Sequence, residues 1–397
     1  MLARQFLHKR STRRLVLLQH LRLTLSHDNS RKRGPLREGG RLDLDSLAEE
    51  EWRNQFRYVY LNRTLYIVSM RERRKVGNKS VLTGNKFTRS EVEELVEVLQ
   101  LPNPIRADNR ITEDPRTALC MLLARLAYPN RLCDLALKFD WSVERVSRIS
   151  TETQRIIHDR WKHLLCWDAK RLTPERLVKY AQAIQQKGAP IGTVWGLIDG
   201  TIRGIARPTY HQRTCYNGWK RKHCLKYHGI VTPDGLISHL FGPIDGRRND
   251  AFLWQKSNLP NILEQNAHTP DGTPLQVYGD PAYSINSFIL SPYQGAQLTN
   301  DQKQWNRSMS RLRIVAEWAF KEIVNTFGFL DFVKNQKHLL QPVGVQFRVA
   351  VLLHNAHVCL HKPQVTQYFN IENVNIVEGL MEDELLEPPL LSEYFHN

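Results

Sequence analysis

No run of ~20 consecutive apolar residues occurs in the chain, so nothing in it has the length of a hydrophobic membrane-spanning helix. The first residues also lack the uninterrupted apolar centre of a secretory signal. A soluble, intracellular protein is the expectation. Cysteine is scarce and scattered. Cys120, Cys133, Cys166, Cys215, Cys224 and Cys359 include no pair at zinc-site spacing, which argues against a cysteine-based zinc module and leaves reduced, mostly buried thiols with no assigned role. Acidic residues are absent from the first 27 positions.

What is present is enough for a large core: 397 residues, 41% hydrophobic and 24% charged, a length that suits two domains. The net charge of +16 is unevenly spread, because residues 1–90 hold 21 Lys and Arg against 8 Asp and Glu. Neutralising phosphates releases counterions, so such a segment favours a polyanion, with nucleic acid first and a solvated basic arm as the bland alternative.

Residues 1–86 read as a basic, partly disordered arm, with Arg13-Arg14, Arg31-Lys32-Arg33 and a second basic run at Arg71-Glu72-Arg73-Arg74-Lys75. Nuclear import is the first use for it and a mitochondrial presequence the second. A helical region is predicted over 87–168. It begins near the caps Thr88 and Ser90 and includes an apolar helix at 118–128, a short one at 132–139, a turn at Asp140-Trp141, and a third capped by Ser142 that carries Arg145, Arg148, Arg155 and His158. That outline is a helix-turn-helix, and also that of any small bundle. A linking helix over 169–190 is predicted, capped by Thr173 and closed by Gly188.

From 191 to 365 the texture changes. Strands are expected at 194–198, 227–231, 237–241 and 276–278, with a hairpin turn at Thr232-Pro233-Asp234-Gly235, and helices at about 250–266 and 307–327. This is an α/β domain with a mixed central sheet. Residues 366–397 are expected to form an acidic tail: from Ile371 onward there are seven acidic residues and no Lys or Arg, read as a solvated tail first and as a segment docked on the basic arm or on a partner protein second.

Three acidic residues stand where strands should end or a helix should face inward. Asp199 follows Trp195-Gly196-Leu197-Ile198, Asp280 follows Val277-Tyr278-Gly279, and Glu317 lies inside the last helix. Carboxylates at the carboxyl ends of buried strands meet at one rim of a sheet. Metal-assisted phosphodiester cleavage needs such a cluster, since two hard cations ~3.5–4 Å apart must be held by oxygen ligands. Taken singly, Asp before Gly or Pro is ordinary turn chemistry, and a helical Glu usually faces solvent. Helical spacing sends Ala316, Phe320, Ile323 and Phe327 to the core and puts Ser310, Arg313, Glu317 and Lys321 on a neighbouring stripe, which suits either a surface ion pair or a metal ligand between two phosphate contacts. Between the first strand and the hairpin, Arg203, Arg207, Arg213, Lys220, Arg221, Lys222, His223 and Lys226 alternate with Tyr210, His211, Tyr216 and Trp219, a nucleic-acid surface or a basic loop over packed aromatics.

In order, "GLIDGT", "VYGDPAY", "SPYQ", "SRLRIVAEWAF" and "LLHN" resemble the PIF/Harbinger group of DDE transposases and the nucleases derived from them, over about 191–362. The segment "LARLAYPNRLCDLALKFDWSVERVS" is similar to the helix-turn-helix region that precedes their catalytic domain. The resemblance implies a ribonuclease H-like core that uses Mg²⁺ or Mn²⁺, two ions in all, to cut DNA at transposon ends and join the ends to a target. It carries Asp199, Asp280 and Glu317 over as catalytic metal ligands, with Asp250 in "RRNDAFLW" as a fourth metal-associated carboxylate. Asn249 stands where relatives have a His, Pro281-Ala282 where they have Ser-Gly, and Lys321 where a Gly is common.

The function expected from sequence is a nuclear, metal-dependent DNA endonuclease or transposase. Arg145, Arg148, Arg213, Lys220, Arg221, Lys222, Arg313 and Lys321 are the expected DNA contacts on double-stranded DNA, including terminal inverted repeats. A Myb-like DNA-binding partner protein and a homodimer are the further expected associations. The rival is a domesticated, catalytically silent DNA-binding adaptor that keeps the fold, and a third reading is a nuclease of the same core acting on other nucleic acids.

Overall fold

A computed structural model describes residues 87–283, 285–361, 363–370 and 386–396, all within the compact unit Tyr66–Asn397. The basic arm and both of its expected import signals lie outside the described residues.

Helix α1 (Arg89–Val98) starts at Thr88 in a reciprocal cap, the Thr88 hydroxyl accepting from Glu91 N and the Glu91 carboxylate from Thr88 N. A two-stranded ladder, β1 (Ile105–Arg106) with β2 (Thr112–Glu113), leads into α2 (Pro115–Ala127), α3 (Leu132–Phe139) and α4 (Val143–Trp161). Asp140 ends α3 in the left-handed region at φ 55°, and Ser142 caps α4. The helices and their turn therefore stand where the sequence puts them. Helix α5 (Pro174–Gln186), capped by Thr173, packs on the first long strand.

That strand, β3 (Val194–Gly204), is the middle of a mixed sheet. After it come α6 (Gln212–Cys215), β4 (Tyr216–Asn217), β5 (Lys222–Val231) and β6 (Ile237–Asp245). Next are α7 (Asp250–Lys256), α8 (Leu259–Asn266), β7 (Gln276–Tyr278) and β8 (Ile289–Leu290). β5 is antiparallel to both β3 and β6, whereas β3, β7 and β8 run parallel; β4 pairs with the start of β5. Three expected strands are only the apolar halves of longer ones. β3 runs on through Asp199 to Gly204 because every residue from Leu197 onward has a partner residue on β5, whatever its side chain. The expected helix at 250–266 is two helices, broken at Ser257-Asn258, where Asn258 takes φ 58°.

The hairpin turn is present but buried: Asp234 is fully enclosed, its carboxylate held by Arg171 and the Tyr180 hydroxyl. Helices α9 (Asn300–Thr326), α10 (Val343–Leu360), α11 (Gln364–Asn370) and α12 (Leu391–Tyr394) complete the described chain. The predicted core stripe of α9, Ala316, Phe320, Ile323 and the capping Phe327, is buried throughout. Contrary to the sequence expectation, α10 is by length and composition long and apolar enough to cross a membrane, the one such helix among the described residues, but 67% of it is buried inside the protein, as befits a core helix.

Two expectations are corrected. Residues 386–396 are not a solvated tail: Leu391, Tyr394 and Phe395 are buried, Asn355 Nδ2 donates to Tyr394 Oη at 2.7 Å, and the Phe395 ring meets Trp161 edge-on. Apolar burial outweighs the local acidity there; the more acidic residues 371–385 lie outside the described set. The thiols are also less buried than expected, since Cys133 and Cys166 are exposed.

Candidate active site

β3 brings Asp199 into the site from mid-strand, not from a strand end. Opposite it on β5 is Gly229, where a Cβ would come within 2.6 Å of His239 O and 3.1 Å of the Phe320 ring, so this face of the sheet admits α9 closely. α9 supplies Arg313 and Glu317, one turn apart. Arg313 Nη1 donates to Asp199 Oδ1 at 3.0 Å and Nη2 to Glu317 Oε1 at 2.9 Å. Asp199 is 14% exposed and Glu317 52%, so the pair spans the site from floor to rim.

Asp280 arrives two residues beyond β7, where Ala282 N donates to its Oδ1 at 3.0 Å and fixes the carboxylate in a turn. Burial pushes the Asp199 carboxyl up to about 7; Arg313 lowers it, while Glu317 and Asp280 raise it further. Asp280 is also held above the usual carboxylate range, by burial first and then by Asp250. Each is an anion short of compensation.

Asp250 occupies a different position from the other three. It is the first residue of α7, whose N-terminus is capped by the Asn249 side chain accepting from Phe252 N at 3.0 Å. Its Oδ1 lies 2.8 Å from where a Gly200 Cβ would be and 2.8 Å from Lys226 Nζ, without the alignment of a hydrogen bond. Successive strand residues point to opposite faces, so Asp199 and the Gly200 position look to opposite sides of the sheet. Asp250 thus lies on the side of the sheet away from Asp199, and its charge acts on Asp280.

Sequence reasoning missed two members of the site. Lys226 was one cation in a basic segment; the β3–β5 register, with Ile202 opposite Lys226 and Gly200 opposite His228, sets it on the Asp250 side. Tyr283 is buried, its hydroxyl has no hydrogen-bond partner among the described residues, and burial, Asp250, Asp280 and Asp199 together keep it protonated. Its ring stacks on the buried His228 at 6.3 Å. The signal for Tyr283 was its place three residues after Asp280.

Among the described residues no three carboxylate, imidazole or thiol groups stand close enough together to hold a metal ion as they are. Arg313 and Lys226 stand in place of a cation, each at a carboxylate. The donor chemistry still fits a hard divalent ion: every acidic donor is a carboxylate oxygen, and two of the carboxyls are raised by burial and mutual repulsion, which a cation relieves.

The expected DNA contacts divide into three sets. Arg213, Lys220, Arg221, Lys222 and Lys321 are exposed. Arg145 is instead tied to Glu113 at 2.7 Å, to Thr112 O and to the Trp141 ring, and Arg313 is tied to the acidic residues, so these two guanidinium groups have intramolecular partners. Arg148 is half-buried, within 3.2 Å of the Asn109 side chain when that amide is turned to accept.

Residues 198–355 match the model of the DDE superfamily endonuclease family, a span that contains Asp199, Asp250, Asp280 and Glu317. No curated protein and no solved structure matches the chain.

Proposed function

We propose that the protein is a divalent-metal-dependent DNA endonuclease of the transposase kind, which hydrolyses a phosphodiester bond at a DNA end and joins the freed 3′ hydroxyl to a target. The single observation that carries this reading is the Asp199–Arg313–Glu317 bridge, electrostatically coupled to Asp280: acidic residues from the central strand, a loop and a helix act on one another across one site. The superfamily match over the same span supports it. So does the strand order, in which the long antiparallel strands β3, β5 and β6 are followed by the parallel β7 and β8, which suits a ribonuclease H-like core.

In this reading Asp199, Asp280 and Glu317 hold Mg²⁺ or Mn²⁺, and Asp250 supports them from across the rim. The bound cation would supply Lewis acidity at the scissile phosphate. Arg313 neutralises Asp199 and Glu317 until then, and the same guanidinium faces the phosphate once released. Lys226 holds Asp250 in the same way. The Harbinger subgroup, DNA contact by α4, nuclear localisation, a Myb-like partner and a homodimer belong to the same proposal and rest on the sequence motifs.

The test is cleavage of supercoiled and linear duplex DNA by the purified full chain with Mg²⁺ or Mn²⁺, and with EDTA as control. Metal-dependent nicking is expected. DNA binding with no cleavage in either metal overturns the enzymatic reading in favour of an adaptor.

A further inference from the structure

Trp219 is the most exposed large apolar side chain among the described residues, at 88%. It sits at the tip of the β4–β5 hairpin, followed directly by the exposed Lys220, Arg221 and Lys222. No hydrogen bond, ion pair or ring contact joins any of these four side chains to a described residue. The tip itself is well ordered by local bonds. Asn217 Nδ2 donates to Gly246 O at 2.8 Å, Asn217 Oδ1 accepts from Lys220 N at 2.8 Å, and the Tyr216 ring packs edge-on to His223 at 5.3 Å. Exposed Arg247, Arg248 and Arg213 extend the positive charge around the hairpin base.

An indole held in water on a rigid turn, ringed by cations and with no acidic neighbour in contact, has the chemistry of a base-stacking wedge and not that of a core anchor. Intercalating side chains work in this way: cations grip the phosphates while an apolar group enters between base steps. The same β5 that starts at Lys222 carries Lys226 and Gly229 to the acidic cluster. Seven residues of strand separate Gly229 from Lys222, roughly 23 Å at ~3.3 Å per residue, a span close to seven base pairs at ~3.4 Å each.

We infer that Trp219 inserts into duplex DNA beside the cleavage site, stacking on a base roughly seven to ten pairs from the scissile phosphate, with Lys220, Arg221 and Lys222 on the adjoining backbone. This rests on the proposed DNA reading and adds a site of base contact and local unstacking. The positive rim favours nucleic acid over a protein partner.

The test uses the full chain in Ca²⁺ with a set of duplexes carrying 2-aminopurine at successive positions from the DNA end. Wild type should brighten the probe at one or two positions. Trp219→Ala should abolish that signal and weaken binding roughly five- to a hundredfold, and Trp219→Phe should restore part of both. The triple change K220A/R221A/K222A should flatten the salt dependence of binding by roughly two to three in log–log slope. Tight binding by Trp219→Ala with an unchanged probe signal overturns the wedge and leaves the nuclease reading intact. Normal DNA behaviour with altered self-association makes the tip a protein contact and also overturns it. If wild type binds no duplex at all, the DNA reading falls and the wedge with it.

Discussion

Arg313 Nη1 lies 3.0 Å from Asp199 Oδ1, an ion pair between a helix and a strand 114 positions apart in the chain. The guanidinium lowers a carboxyl that burial raises, so Arg313 is a counter-ion of Asp199. Its other arm on Glu317 makes this one side chain the bridge between two elements of the acidic cluster.

A counter-ion competes with any other cation for the same oxygens. Arg313→Gln should bind Mn²⁺ severalfold more tightly than wild type at pH 8, while its Tm without metal falls. Titration calorimetry checks this, and weaker Mn²⁺ binding would mean that Arg313 helps to shape the site and does not compete for it.

Gly200 keeps the Asp250 carboxylate where it is, since a Cβ would lie 2.8 Å from its Oδ1. Gly200→Ala should displace Asp250 and slow cleavage on the order of 10–100-fold, with little change in Tm, because small misplacements near the chemistry are costly. Unaltered cleavage would remove Asp250 from the working site.

Three buried imidazoles make the fold acid-sensitive. Burial pushes His239 down to about 4 and His354 down to about 3, and holds His228 well below its ordinary value. In the unfolded chain they titrate near ~6.5, so below that pH the unfolded state binds more protons. Their stability contribution is complete above that value and is lost as the pH falls toward 4. Asp199, raised to about 7, and Asp280, also raised by burial, work in the opposite direction, but they are two groups against three. Thermal melts should show Tm dropping below about pH 6. His354→Leu, which removes two unpartnered ring nitrogens, should make the acid limb shallower; an unchanged limb would assign the acid loss elsewhere.

The C-terminal segment bears on stability. Phe395→Ala empties a buried contact with Trp161 and should cost about 3–5 kcal/mol, read as a lower Tm of the full chain. No change in Tm would mean that residues 386–396 are not docked in solution.

Much of the site was legible because chemistry and pattern coincide. An apolar run closing on Asp199, a second one closing on Gly279-Asp280, and a helix whose core stripe leaves Glu317 beside it are all visible along the chain. What was not legible depends on partners distant in sequence. β3 outruns its apolar half because β5 pairs with it through Gly204, so Asp199 sits mid-strand and Asp250 on the far side. Lys226 enters the site through strand register, and Tyr283 through packing on His228. The tail misled because its charge is visible in composition, whereas the pocket that receives Tyr394 and Phe395 is formed by Asn355 and Trp161.

If the proposed function holds, Asp199 and its acidic neighbours chelate a divalent ion. Mn²⁺ binding followed by electron paramagnetic resonance at pH 8 tests it without DNA, by comparing wild type with Asp199→Asn and Asp280→Asn, each shown to be folded by circular dichroism. Each variant should lose more affinity than the ~10–100-fold expected for an outer partner of a metal ligand. Wild-type Mn²⁺ affinity in both variants would contradict it.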